Sequence, residues 1–194
     1  AILIDKITAV VNDEIITLTD IKKAAQFFPY ARAKDEKEEA FNTRVLKDLI
    51  DWKAVYLEYR ESFKSTEEDY EEVEAQAIKK LGSLDKLMSQ LAKYDMEWAD
   101  FEAFIQEKVI YDRVLKEKFM DEIKVDFREI EIFYQTDYVP RQEKLNLKPR
   151  TLIEMTPLIE KQLKRNKSKE KIAAWLRELK SAYKIENKLL EESK

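Results

Sequence analysis

The chain has no cysteine, no histidine and a single glycine in 194 residues. Without cysteine there is no disulfide, no thiolate nucleophile, no zinc site built on sulfur and no lipidated N-terminal cysteine. Without histidine the chain lacks the usual general base near neutral pH, the commonest metal ligand and every histidine-based triad. Scarcity of glycine argues for a chain dominated by helix, because strands and tight turns use that residue freely. No stretch reaches the roughly 18 consecutive apolar residues of a transmembrane helix. There is no glycine-rich phosphate loop and no Asp-x-Asp-x-Asp-Gly loop, so neither nucleotide nor calcium is expected, and no cofactor or metal is assigned.

What is present is a chain that folds. Hydrophobic residues make up 44%, with nine Phe, nine Tyr and three Trp, more apolar surface than disordered chains carry. Charged residues make up 39% and the net charge is −4. Residues 141–188 nevertheless hold 14 Lys/Arg against six Asp/Glu, so the acidic excess lies elsewhere. A basic stretch of this kind, Lys161, Lys164, Arg165, Lys167, Lys169 and Lys171 at its centre, serves either an anionic partner such as nucleic acid or simply a solvated helix face. The overall acidity and the lack of any nucleic-acid motif favour the solvated face, and no nucleic-acid partner is expected. Adjacent acids such as Glu67-Glu68 and Glu71-Glu72 are read in the same way, and no catalytic residue is assigned.

Along the chain, residues 4–18 read as two β-branched runs around Asn12-Asp13-Glu14, a short hairpin. Thr19 and Asp20 offer capping oxygens for a helix that ends near Pro29. From about Glu36 to Phe63, Phe41, Val45, Leu49, Trp52, Tyr56, Tyr59 and Phe63 draw one apolar stripe along a long helix. Ser65 or Thr66 caps the next helix, which Gly82 ends with a left-handed residue. Ser83 opens another helix, and a longer one runs from about Glu97 to Phe119. Asp126 caps a helix over 127–138 that Pro140 prevents from continuing in register. Two prolines and few large apolar residues make 140–151 a connector. Thr156-Pro157 then starts a helix, with Ile172, Trp175, Leu176 and Leu179 on a continuation or a further helix. Tyr183-Lys184-Ile185 reads as a last strand ahead of a charged tail, 188–194.

The hairpin Ile7-Thr8-Ala9-Val10-Val11-Asn12-Asp13-Glu14-Ile15-Ile16-Thr17 with Thr19-Asp20 after it, the helical middle, and the C-terminal helix with its strand resemble, in that order, the chaperone core of the SurA family. The stretch Phe133-Tyr134-Gln135-Thr136-Asp137-Tyr138-Val139-Pro140, followed by Thr156-Pro157-Leu158-Ile159 and Ile172-Ala173-Ala174-Trp175-Leu176, is similar to members that lack the parvulin prolyl isomerase domain. The insertion point would fall in 139–151, too short to hold a domain, and a parvulin site needs histidines that this chain does not have. The resemblance implies a mainly α fold with a small N-terminal β-hairpin and a short C-terminal strand. In it residues 1–139 and 152–187 complete one core, with Trp52 and Trp175 packed inside and the Ile185 strand joining the hairpin in one sheet.

The same resemblance implies a non-enzymatic, ATP-independent holding chaperone of the bacterial periplasm whose signal peptide has been removed. Its partners would be unfolded or partly folded polypeptides, outer-membrane proteins among them, without stable membrane insertion, and a homodimer is compatible with it. Aromatics beside breaks in the helical pattern are the candidate client contacts: Phe27, Phe28 and Tyr30 around Pro29, Tyr94 and Trp98 around Asp95, and Phe133, Tyr134 and Tyr138. The rival reading is a non-catalytic scaffold that binds one specific folded partner.

Overall fold

A computed structural model describes residues 5–120 and 123–191. Ile4, which opens the predicted hairpin, and residues 192–194 of the predicted charged tail lie outside the described residues. The protein is mainly helical with a small antiparallel sheet, and it divides into two compact units, residues 1–114 with 176–194, and residues 115–175. The sequence reading instead has 1–139 and 152–187 complete one core, with 140–151 as a connector within it. Both boundaries fall inside helices, where neither proline nor glycine marks them.

In the first unit the strands β1 (Ile7–Val11) and β2 (Glu14–Thr17) form the hairpin. Asn12 takes a positive φ of 53° at the turn, a conformation that asparagine tolerates better than most residues. A bulge interrupts the register between Ile7 and Ala9. The intervening Thr8 is fully buried, and its hydroxyl donates to the Ile16 carbonyl at 2.9 Å, so no polar group is stranded. The helix α1 (Leu18–Phe27) begins two residues earlier than the sequence suggests. Thr17 and Asp20 form a reciprocal capping box, which takes Thr19 into the first turn.

The helix α2 (Glu38–Tyr59) is the centre of this unit. Every residue from 49 to 55 is buried, so the single stripe of the sequence reading widens to all sides of the helix. The helix α3 (Glu67–Leu81) packs on α1 and α4 (Leu84–Lys93) packs on α3, while α5 (Trp98–Leu115) lies against α2. Thr66 caps α3 in a second capping box with Asp69, Gly82 ends it at φ 97°, and Ser83 caps α4, each as the sequence predicts. The strand β3 (Ile185–Asn187) starts two residues later than the sequence suggests; it pairs with β1 as expected, giving the order β2-β1-β3 and joining the two ends of the first unit in one sheet. Asn12 helps to dock it. Its backbone N–H donates to the Lys184 carbonyl at 2.7 Å and its side-chain oxygen accepts from the Lys184 N–H at 2.9 Å. The predicted tail starts as a helical turn, α9 (Lys188–Glu191), and Leu189 packs on the core.

Asp69 links the α3 cap to α5, because Arg113 donates to its carboxylate at 2.6 Å. Burial pushes this carboxyl up, but hydrogen bonds from the Thr66 N–H and hydroxyl and from Arg113 outweigh it and hold the group below its ordinary 3.8. Asp69→Asn should lower stability at neutral pH by about 1–2 kcal/mol. A depressed carboxyl contributes stability that is present above the unfolded pKa and is lost as pH falls through the folded one. Urea titrations below pH 3.8 should therefore show wild type descending to meet the variant. A gap that stays constant well below that pH would refute the ionic role.

The second unit contains α6 (Phe127–Phe133), capped by Asp126 as predicted, then a wide π-type segment (Tyr134–Tyr138), then α7 (Val139–Lys144). The helix thus runs through Pro140, against the expectation that it stops there. Wide turns displace the hydrogen-bond ladder and leave a carbonyl unmatched, which suits a residue that has no N–H to donate. The helical run ends in a Schellman arrangement. Asn146, at φ 55°, donates to Glu143, and the Leu147 N–H reaches the Gln142 carbonyl. The connector is therefore confined to 145–151.

The long helix α8 (Leu152–Ser181) starts earlier than Thr156-Pro157 suggests. Thr151 is its cap: its hydroxyl accepts from the Glu154 N–H, while the Glu154 carboxylate accepts from the Thr151 N–H. Thr156 is not a cap; its hydroxyl donates back to the Leu152 carbonyl at 2.8 Å. The helix continues past Asn166 without a break. Ile123, Ile130 and Ile159 are the buried aliphatics of this unit, and Lys167 ties α8 to Glu129 and to the Lys124 carbonyl. Trp175 packs edge-on against Phe119 at 5.4 Å within the second unit, whereas Trp52 is buried in the core of the first. The two tryptophans do not share a core, because the unit boundary falls directly after Trp175.

Candidate functional site

The eight aromatics singled out in the sequence separate into three environments. Phe27 and Phe28 are 0% and 1% exposed. Phe27 meets Phe101 and Phe104 edge-on at 5.3 and 6.1 Å, and Phe28 meets Trp52 at 5.4 Å with planes at 87°. Both rings are core, so neither offers a reachable surface. The chain break at Pro29 lies at the end of α1, and α1 ends against α2 and α5, which cover its last two rings.

Tyr30, Tyr94 and Trp98 are half-buried. The Tyr30 hydroxyl donates to the Asp48 carboxylate at 2.7 Å; burial first and the Asp48 charge second push that hydroxyl far above its ordinary range. Tyr94 rests on Phe27 at 5.9 Å, and Trp98 on Phe101 at 5.6 Å, with its indole N–H donating to Glu102. Each is an edge of the core, and Tyr30 and Trp98 have their polar ends in use.

Phe133, Tyr134 and Tyr138 lie in the second unit and are also half-buried. The rings of Tyr134 and Tyr138 stack at 5.4 Å, and both hydroxyls hold Arg150, one accepting its N–H and the other donating to its carbonyl. They fasten the turn that precedes α8.

What these eight aromatics do not supply, other apolar side chains do. Among the described residues ten large hydrophobic side chains are exposed, and six of these belong to the second unit. Phe127 (56%), Ile132 (52%) and Leu158 (57%) lie on α6 and the first half of α8, while Leu145 (61%), Leu147 (55%) and Ile153 (85%) lie at the turn between α7 and α8. No periodicity marks these positions in the sequence. The one available signal was the thin apolar content of 140–150, in which Leu145 and Leu147 stand alone among polar residues.

Charge inside the first unit is internally matched. The Lys180 ammonium pairs with Asp51, and Lys53 pairs with Glu107. Lys108 lies 2.6 Å from Asp112 and over the rings of Phe28 and Trp52, at 5.4 and 5.3 Å from their centres. These buried ions join α2, α5 and the end of α8. The chemistry they offer is structural. Among the described residues no group of three or more His, Cys, Asp or Glu side chains converges as a metal site, and no helix is long and apolar enough to cross a membrane.

Fold and surface define a class: a mainly helical protein of two compact units, in which the second displays aliphatic side chains and the first is held by a sheet that joins its two ends. No protein-family model matches the chain, and no curated protein matches it.

Proposed function

We propose that the protein is an ATP-independent holding chaperone that binds unfolded polypeptides, outer-membrane proteins among them, in the bacterial periplasm. The observation that carries this reading is the exposure of Phe127, Ile132 and Leu158, each more than half accessible, on the same unit as half-buried Phe133, Tyr134 and Tyr138. Large apolar side chains kept in water mark a surface that something else covers. The surrounding charge, 39% of all residues, keeps such a protein dispersed. The order of hairpin, helices and returning strand, similar to SurA-family members without an isomerase domain, supports the compartment and the client class.

The test is aggregation of two denatured clients, an outer-membrane barrel and an unrelated soluble protein, without nucleotide and at a few-fold excess of the chain. Both should be suppressed. Ile132→Ser combined with Leu158→Ser should weaken client binding by at least about tenfold, since each buried aliphatic is worth about 1.5–3 kcal/mol, while thermal unfolding stays unchanged. Suppression of neither client by the wild-type chain would overturn the proposal in favour of a single folded partner.

A further inference from the structure

The turn between α7 and α8 combines two properties that the rest of the second unit does not. Leu145, Leu147 and Ile153 are all more than half exposed, and Ile153 is the most exposed large hydrophobic residue described. From 144 to 153 the sequence holds Lys144, Lys148 and Arg150 and no acid. None of these three cations has an ion-pair partner among the described residues, unlike Lys164 and Lys167, which pair with Glu160 and Glu129. Two acids flank this stretch: exposed Glu143 beside Lys144, and Glu154, which caps Thr151 and also feels the Arg150 charge; Arg141 is matched by Asp137.

The turn is also firmly built. The Schellman closure at Asn146, the two tyrosine hydroxyls on Arg150 and the Thr151–Glu154 box fix its backbone on both sides of the exposed leucines. Aliphatics this exposed line no cleft of the kind that encloses a peptide. A pre-shaped projection of apolar side chains ringed by unpaired cations matches a flat anionic layer with hydrocarbon beneath it.

We propose that this turn docks the protein on the surface of an anionic lipid bilayer. Leu145, Leu147 and Ile153 enter the boundary between headgroups and acyl chains, and Lys144, Lys148 and Arg150 lie against the lipid phosphates. The contact is peripheral and reversible, because three aliphatics and three charges fall far short of an inserted helix.

Co-sedimentation of the full chain with phosphatidylcholine vesicles, with and without phosphatidylglycerol, tests this. Binding should require phosphatidylglycerol and should weaken as sodium chloride rises. Lys144→Gln, Lys148→Gln and Arg150→Gln should each weaken it roughly fivefold. Leu145→Ser with Leu147→Ser and Ile153→Ser should weaken it at least about tenfold. All these positions are exposed, and an unchanged thermal transition establishes that each variant is folded. Glycerol phosphate should compete no better than chloride at equal ionic strength; specific displacement would mean a site for free phosphate and would overturn the proposal. So would equal binding to neutral vesicles, full retention of binding by either set of variants, or capture of an acidic apolar peptide without any vesicle binding. Ile132 and Leu158 take no part in this test, so its failure is separate from failure of the holding activity.

Discussion

Alanine in place of Phe27 is expected to lower the stability of the first unit by about 3–5 kcal/mol. The ring is fully buried and lies within 6.1 Å of the rings of Tyr94, Phe101 and Phe104. Its removal leaves a cavity between α1, α5 and the end of α4, and edge-on aromatic contacts are lost in addition to the area. Urea unfolding followed through tryptophan fluorescence should show a lower midpoint with little change in slope. At temperatures where the variant is still folded, client binding should equal that of wild type, because Phe27 is not accessible. A loss below about 1 kcal/mol would contradict the packing of α1 described above.

The second large effect is expected at Lys180. Asp51 is 6% exposed and its carboxylate is held by the Lys180 ammonium, a contact that bridges 129 residues of sequence and ties the last turn of α8 to α2. Removing one member of a buried pair strands the other, and Lys180→Met should cost about 3 kcal/mol. Adding Asp51→Leu should restore most of that loss, since two apolar side chains can replace a buried ion pair without penalty.

The pH dependence distinguishes this pair from Asp69. Burial, only partly offset by Lys180, already raises the Asp51 carboxyl above its ordinary 3.8. Without Lys180 it rises further, and a raised carboxyl disfavours the folded state once pH exceeds the unfolded pKa. The Lys180→Met variant should therefore regain stability as pH falls from neutral toward 3.8. At Asp69 the gap closes because wild type descends; here it closes because the variant climbs. A deficit in Lys180→Met that does not change with pH would show that the lost interaction was packing of the lysine stem and not its charge.

Much of the fold was legible because local chemistry and tertiary packing agree at those positions. Gly82 takes the left-handed residue that ends α3, Thr66, Ser83 and Asp126 cap helices, and the β-branched runs on either side of Asn12-Asp13 pair as a hairpin. Where local signals conflict, the pattern misleads. Pro140 and Pro157 are strong breakers, yet wide turns precede the first, and an earlier capping box at Thr151 starts the helix ahead of the second. Asp51 and Lys53 are charged, yet both are buried because their charges find partners on α8 and α5. The candidate surface was less legible than the fold. Large aromatics beside a break look reachable, but Phe27 and Phe28 are covered by α2 and α5, while the exposed residues are mostly aliphatics that no spacing rule distinguishes from core.

By itself, then, the amino-acid sequence determined the helical character of the chain, most of its caps, the hairpin, a short C-terminal strand and the absence of cysteine and histidine chemistry. Each of these depends on residues within a few positions of one another, or on composition alone. Only the tertiary structure decided that α2 is buried on every side over residues 49–55, that the compact units divide inside helices, and that Ile132, Leu158 and the turn at 145–153 remain in water while Phe27 and Phe28 do not. Burial depends on which distant surface covers a side chain, and that is a property of the assembled helices and not of any one of them.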